Sequence, residues 1–286
     1  MYGIVSLKKC LRYGIPGIAV ALAVWLGALW VSAVKPAEGV QVPVIMYHAV
    51  LADENRLGQY VISPAELESD FQWLQSHGYT PVLSEDLLAY VQEGRDLPEK
   101  PVMLTFDDGY YNNYLYAFPL AQQYGMKFVL SPIGKCTDLY TESPDDSPYY
   151  AHCTWAQLRE MQESGLVEIG NHSYDLHSTE GTLGTKRHAE ETMEAYAARL
   201  SSDLLLAQEK IEMHLGTEPV LFAYPFGAVS EGEPEILRQM GFRITLSCEE
   251  KTSTVTREAE SLTYLGRYLR PSGESSAAFF RRILAE

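Results

Sequence analysis

Strand-like apolar runs alternate with amphipathic helical stretches about seven times between residue 40 and the C-terminus. Strands are predicted at residues 40–48, 79–83, 101–107, 127–131, 166–172, 220–226, 242–248 and 264–269. Helices are predicted at residues 64–76, 84–93, 112–124, 154–165, 186–215, 233–240 and 275–284. Strands in such an alternation lie parallel and are joined by right-handed crossovers. We therefore expect an α/β fold, an irregular (β/α)7–8 barrel, with its site at the carboxyl ends of the strands.

The N-terminal segment has the composition of a membrane anchor. Three basic residues near the start precede an uncharged, largely apolar run over residues 14–34. About 20 apolar residues suffice for a helix to cross a bilayer. The basic flank predicts that the rest of the chain lies outside the cytoplasm. A cleaved signal peptide is the alternative, but its apolar core is shorter, roughly 7–15 residues. We expect residues 1–36 to be a single-pass anchor and linker, and residues 37–286 to form a separate folded domain.

The net charge of the chain argues against one class of binding partner, and its cysteines predict a disulfide. The chain carries 38 acidic and 22 basic residues, a net charge of −16, which argues against binding to nucleic acid. Cys136 and Cys153 bracket a polar insertion, and outside the cytoplasm a disulfide between them would clamp it. Cys248 ends an apolar run and is expected to be buried. The protein is expected to be a monomer.

Two aspartates and two histidines stand at predicted strand ends. Asp107 and Asp108 follow a buried strand, and adjacent carboxylates repel each other unless a cation or proton separates them. Taken alone, Asp-Asp-Gly is typical of a surface turn. His172 and His177 would lie roughly 140° apart on a helix, but they can converge where a strand runs into a turn. Two imidazoles and one carboxylate would hold a divalent metal with an open position for water, as hydrolytic sites do.

Several motifs in this chain resemble those of one enzyme family. They are Thr-Phe-Asp-Asp-Gly at residues 105–109, Asn-His-Ser-x-x-x-His at residues 171–177 and Phe-Ala-Tyr-Pro-Phe-Gly at residues 222–227. With residues 43–48 and 266–271, they resemble the polysaccharide deacetylases, the NodB-homology enzymes of carbohydrate esterase family 4. The resemblance spans roughly residues 42–271 and implies a NodB-type barrel.

The resemblance also implies a role for individual residues. Asp108, His172 and His177 would hold the metal, and Asp107 would be the general base that removes a proton from water. The third motif places a backbone N–H at Phe226 against the oxyanion, with Tyr224 as a further oxyanion or substrate contact.

Three departures from the common family pattern point to a subgroup. No histidine follows His214, the histidine spacing is one residue longer than usual, and Ala223 stands where many members have arginine. These departures match a subgroup similar to the exopolysaccharide deacetylases that act on poly-N-acetylglucosamine. There the acid histidine comes from the first strand, which points to His48; the alternative is a buried histidine that merely closes the strand. Arg267 or Arg270 would keep the base ionised by lowering its pKa.

The predicted activity is metal-dependent hydrolysis that removes N-acetyl groups from an extracytoplasmic glycan containing N-acetylglucosamine, either cell-wall peptidoglycan or exopolysaccharide. The predicted cofactor is Zn²⁺, although the same ligands accept Co²⁺, Ni²⁺ or Fe²⁺. Two alternatives stay open at this point. One is a membrane-tethered glycan-binding module with a degenerate site, and the other is an O-acetyl esterase on the same scaffold.

Overall fold

A computed structural model describes residues 39–284, which belong to one compact unit. The predicted anchor and most of its linker, up to residue 38, lie outside the described residues. Within residues 39–284, none of the helices combines the length and the apolar character needed to span a bilayer.

Short strands alternate with helices through this part of the chain. The strands are β1 (Val40–Val42), β2 (Val44–Tyr47), β3 (Ala49–Val50), β4 (Val61–Ile62), β5 (Thr80–Pro81), β6 (Pro101–Asp108), β7 (Phe128–Pro132), β8 (Val167–Ile169), β9 (Leu221–Ala223), β10 (Ile244–Leu246), β11 (Ser253–Val255) and β12 (Tyr268–Leu269). The helices are α1 (Pro64–Ser76), α2 (Ser84–Glu93), α3 (Phe118–Tyr124), α4 (Gly134–Glu142), α5 (Trp155–Glu163), α6 (Met193–Leu215), α7 (Glu233–Gln239) and α8 (Ser276–Ile283). Each predicted helix has a counterpart, but α6 begins seven residues later than predicted, and the additional helix α4 runs from Gly134 into the predicted insertion.

The main sheet is parallel, as predicted. Its strands pair in the order β12-β2-β6-β7-β8, and β5 pairs with the start of β6. β9 and β10 form a separate parallel pair. Single parallel bridges join Asn171 to Phe222 and Leu246 to Leu265, so this pair adjoins both the chain beyond β8 and the chain before β12. Because these junctions are single bridges, the α/β architecture agrees with the prediction, while closure into a (β/α)7–8 barrel stays a prediction.

Local signals at the helix starts explain why two of these helices begin where they do. The Ser63 hydroxyl accepts a hydrogen bond from the Glu66 amide, and the Glu66 carboxylate accepts one from the Ser63 amide, so a complete capping box opens α1. Thr154 and Gln157 form the same reciprocal pair at the start of α5. Each box satisfies backbone N–H groups that a helix start otherwise leaves unpaired.

The central strand β6 is buried along its whole length. Its side chains alternate between two faces. Phe106 packs into the main hydrophobic cluster, where its ring stacks on Tyr47 of β2 with 4.9 Å between centroids. Asp107 therefore points to the opposite face. Burial of one such aromatic side chain contributes about 1.5–3 kcal/mol, so the core that orients Phe106 also fixes the direction of Asp107.

The expectation of a disulfide is wrong for this structure. Cys136 and Cys153 are both free thiols, and the buried Cys153 donates a hydrogen bond to the Tyr110 carbonyl at 3.3 Å. The insertion is held by polar contacts instead, such as the bond from the Asn112 side chain to the Pro148 carbonyl at 2.9 Å. Cys248 is exposed, contrary to prediction, because it lies in the segment after β10 and lines a cavity.

Candidate active site

A cavity of about 590 Å³ opens at the carboxyl ends of β2 and β6. It brings together most of the residues singled out from the sequence. Those that line it are His48, Asp107, Asp108, His172, His177 and Phe226. Parallel strands deliver their carboxyl ends to one side of a sheet, which explains why residues more than 120 positions apart meet here.

Asp108, His172 and His177 form a cluster of metal-binding geometry. One potential ligand atom from each lies within 4.8 Å of the other two. The Nε2 atoms of His172 and His177 stand 3.5 Å and 3.3 Å from Asp108 Oδ1. That oxygen is buried and has no hydrogen-bond partner among the described residues. A buried carboxylate oxygen facing two imidazole nitrogens is the arrangement expected around a divalent cation, so the donor set fits a metal.

The tautomer of His172 suits this role. Its Nδ1 lies 2.7 Å from the Ala223 carbonyl oxygen. Because a carbonyl can only accept, Nδ1 carries the proton and Nε2 keeps its lone pair toward Asp108. Such an outer hydrogen bond is what fixes the ring of a metal-binding histidine.

Electrostatics favour the same protonation states. Burial lowers the pKa of His172 to about 3, and burial also lowers the pKa of His177. Both imidazoles are therefore neutral near pH 7, as metal ligands must be. Burial raises the pKa of Asp108 to about 6, because its charge has little solvent around it. A bound cation would supply the opposite charge that this carboxylate needs.

Asp107 has a different partner. Arg267 is fully buried, and its Nη1 donates to Asp107 Oδ1 at 2.8 Å. A second bond from Arg267 Nε to the Ser247 carbonyl, at 2.8 Å, fixes the guanidinium. Burial, the largest single influence, would raise the pKa of Asp107, but the charge and the hydrogen bond of Arg267, together with the neighbouring imidazoles, outweigh burial and hold this pKa well below its usual range. Asp107 is therefore ionised at neutral pH.

The alternative tuning residue, Arg270, lies elsewhere. It forms a bidentate pair with Asp70 of α1, from Nε at 2.9 Å and from Nη2 at 3.0 Å. The Tyr47 hydroxyl donates to the same carboxylate at 3.1 Å. Arg267 and Arg270 are three positions apart in an extended segment, so they point to opposite faces. Arg270 as a partner of Asp107 is thus a wrong expectation.

His48 lies beside Asp107 because of the strand register. Tyr47 on β2 pairs with Phe106 on β6, so the residues that follow them emerge side by side on the cavity face. His48 is only half-buried and lines the cavity, with its ring edge against Tyr60 at 5.0 Å between centroids. This placement suits contact with a substrate, and the role of general acid stays a prediction.

The two candidate residues of the third motif, Phe226 and Tyr224, lie in different environments. Phe226 has a left-handed backbone, with φ 59°, and its ring lies 4.3 Å from the His177 ring at the mouth of the cavity. Tyr224 is fully buried, and its ring packs on Phe222 and Tyr264 instead of lining the cavity. Tyr224 as a direct substrate contact is therefore contradicted, because its side chain belongs to the core under this loop.

Backbone strain collects around the cavity. Asp108 and Ser173 share a left-handed φ of 69°, which non-glycine residues adopt at a cost of about 1–3 kcal/mol. Gly109 also has a positive φ, and a Cβ there would lie 2.7 Å from the Pro132 side chain. A larger residue could not follow the two aspartates without displacing β7.

Sequence reasoning missed part of the cavity wall. Gln59, Tyr60, Tyr110 and Glu250 line the cavity together with Cys248. Tyr110 directly follows the Asp-Asp-Gly motif, which is a usable signal. The others come from loops whose positions depend on distant packing, and no local pattern marks them.

Comparison with known proteins identifies the family. A model of the family described as "Polysaccharide deacetylase" matches residues 94–245, just over half of the chain. A poly-beta-1,6-N-acetyl-D-glucosamine N-deacetylase of Escherichia coli K12 is 28% identical over 244 residues, which cover 78% of this chain and 35% of that protein. The chain thus spans about a third of this relative. A putative polysaccharide deacetylase of Bacillus subtilis, YxkH, is 25% identical over 87% of this chain and 77% of its own length.

Superposition on solved structures supports the same family. A de-N-acetylase from Aggregatibacter actinomycetemcomitans superposes with a TM-score of 0.71 at 26% identity, over 84% of this chain and 98% of that chain. IcaB from Ammonifex degensii superposes with a TM-score of 0.65 at 27% identity, over 82% and 94%. The family match, the shared NodB-type fold and the Asp-His-His cluster lead to one conclusion: this chain belongs to the polysaccharide deacetylase family.

Proposed function

We propose that this protein is a metal-dependent hydrolase that removes N-acetyl groups from a polysaccharide containing N-acetylglucosamine. The observation that carries the proposal is the joint placement of Asp108, His172 and His177 beside the ionised Asp107 in one cavity. The relatives described as poly-beta-1,6-N-acetyl-D-glucosamine N-deacetylases support an exopolysaccharide as the substrate.

The cluster would hold a divalent metal, with Zn²⁺ as the expected ion and Co²⁺, Ni²⁺ or Fe²⁺ as accepted substitutes. When bound, such an ion polarises an amide carbonyl and makes water more acidic. His172 and His177 would each offer a neutral Nε2, and Asp108 a carboxylate oxygen that lacks another partner.

Two side chains, Asp107 and His48, would each carry out one of the two proton transfers. Asp107 is held ionised by Arg267 and would accept a proton from the attacking water. His48, on the neighbouring strand, would donate a proton to the departing amine nitrogen. The backbone N–H of Phe226, in its left-handed conformation at the cavity mouth, would donate to the oxygen on which charge develops.

We extend the proposal to the organisation of the chain. Residues 1–36 would anchor the protein in the cell membrane or be removed as a signal, and residues 37–286 would form a monomeric catalytic domain outside the cytoplasm. The basic flank and apolar run at the N-terminus support this arrangement. The bridges on either side of the β9–β10 pair support a ring of parallel strands close to an irregular barrel.

Acetate release by the metal-stripped and reloaded protein tests the proposal. We expect release from poly-β-1,6-N-acetylglucosamine with Zn²⁺ or Co²⁺, and none after chelation. Peptidoglycan and chitooligosaccharides identify the preferred polymer, and an O-acetylated glycan tests for an esterase. If the reloaded protein binds these glycans but releases acetate from none of them, it is a binding module and the proposal fails.

A further inference from the structure

The turn between the two histidine ligands has an unusual amount of support. His172 is buried just beyond the end of β8 and is oriented by the Ala223 carbonyl. His177 is less enclosed: its side chain is 24% exposed, its ring contacts the Phe226 ring, and its backbone is placed by the chain segment that joins it to His172. The position of His177 Nε2 therefore depends on what holds residues 173–176.

One edge of this turn is held by the start of α4. The carbonyls of Ser173 and Tyr174 accept hydrogen bonds from the Gly134 and Lys135 amides, at 3.0 Å and 2.9 Å. A Cβ on Gly134 would lie 2.8 Å from Cδ2 of Tyr174 and 3.4 Å from its Cα. The helix comes this close because position 134 has no side chain. The Tyr174 hydroxyl also donates to Asp138 at 3.1 Å.

The other edge is held by a single side chain. Asp203 of α6 accepts the Tyr174 amide on Oδ1 and the Asp175 amide on Oδ2, each at 2.8 Å. A carboxylate that accepts two successive backbone N–H groups makes two charge-assisted bonds, which are stronger than neutral ones. These two amides lie inside the longer-than-usual histidine spacing. Asp203 thus satisfies backbone donors of the segment that carries His177.

We propose that Asp203 is a positioning residue of the metal site. By binding both amides of the turn, it keeps His177 Nε2 at 3.3 Å from Asp108 Oδ1 and so holds the three ligands together. This inference rests on the metal site proposed above. Groups that orient metal ligands from outside typically contribute 10–100-fold to metal affinity.

The test is the metal affinity of the Asp203→Asn variant. The carboxamide keeps the size of the side chain but presents an NH₂ group to one of the two amides, so one bond is lost and a donor faces a donor. Zn²⁺ and Co²⁺ affinities of the stripped protein are measured by competition with a chromophoric chelator. The matched control is Glu209→Gln, the same change at an exposed position of the same helix. We expect metal binding about 10–100-fold weaker for Asp203→Asn, with the control unchanged.

A purely structural role predicts a different result. If Asp203→Asn lowers the melting temperature but binds Zn²⁺ as tightly as Glu209→Gln does, the proposal is overturned. If Asp203→Asn does not fold, Asp203→Ser decides, because serine offers one acceptor oxygen in place of two and its hydroxyl can rotate its proton away from the amides. Weaker metal binding by that variant supports the proposal, and unchanged binding refutes it.

Measurements of acetate release distinguish failure of this inference from failure of the proposed function. We expect the acetate release of Asp203→Asn to fall at limiting metal and to recover at saturating metal, which loss of folding would not allow. If wild-type protein binds metal but releases no acetate, the proposed function fails, while the affinity comparison still tests Asp203.

Discussion

The buried pair of Arg270 and Asp70 allows a quantitative prediction. Both side chains are fully buried, and the two bonds between them, at 2.9 Å and 3.0 Å, are supplemented by the bond from Tyr47. Arg270→Met keeps most of the side-chain length but removes the charge. The Asp70 carboxylate then stays in the core without its opposite charge.

The expected loss is large relative to the stability of a domain. Leaving one partner of a buried ion pair uncompensated costs about 3–5 kcal/mol, of a total that is typically 5–15 kcal/mol. Replacing both partners by apolar residues is often neutral. We therefore expect the double variant Asp70→Leu/Arg270→Met to be more stable than Arg270→Met alone.

The stability lost in the Arg270→Met variant should also depend on pH. Burial raises the pKa of Asp70, and Arg270 opposes that rise. Without Arg270, this pKa rises further above its value in the unfolded chain, so the folded variant binds a proton more readily than the unfolded one. Protonation then stabilises the folded state, and stability is regained as pH falls through the folded pKa. The deficit of Arg270→Met should shrink on acidification.

Urea unfolding, followed by circular dichroism at about pH 7.5 and about pH 5.5, measures both effects. Arg281→Met, at an exposed position, is the control and should change the free energy of unfolding by no more than about 0.5 kcal/mol. A loss below about 1 kcal/mol for Arg270→Met, or a loss that grows at the lower pH, would refute the reasoning.

Three further predictions concern the site. Asp107→Asn should retain metal but lose acetate release by about 10²–10⁴-fold, and full activity in this variant would remove Asp107 as the base. His48→Gln should lower kcat by a similar factor with unchanged metal affinity, and a change in metal affinity alone would contradict the acid role. Gly109→Ala should destabilise the fold by about 1 kcal/mol or more, measured by urea unfolding, because φ is positive and Pro132 lies in the way.

Most residues of the candidate site could be predicted from the sequence because they lie in short segments at the ends of predicted strands. Asp107 and Asp108 stand at the end of an apolar strand, and His172 and His177 follow another strand end, so their convergence could be predicted from the α/β pattern. The capping boxes at Ser63 and Thr154 likewise needed only local spacing.

Other assignments depended on contacts between distant parts of the chain. Tyr224 shares a motif with Phe226, yet one residue packs into the core and the other lines the cavity. Cys136 and Cys153 frame an insertion but remain free thiols. Composition gave no means of predicting these outcomes, because they depend on which face of an element meets which neighbour.

The sequence by itself therefore indicated the family through the resemblance of its motifs, predicted the parallel α/β class through its periodicity, and singled out four residues that meet in the cavity. Only the tertiary structure decided that Arg267 and not Arg270 meets Asp107, that His48 shares its face, and that Asp203 holds the histidine turn. The physical reason is that strand register and helix packing are set by the summed burial of many side chains. A shift of one residue in a strand exchanges its two faces.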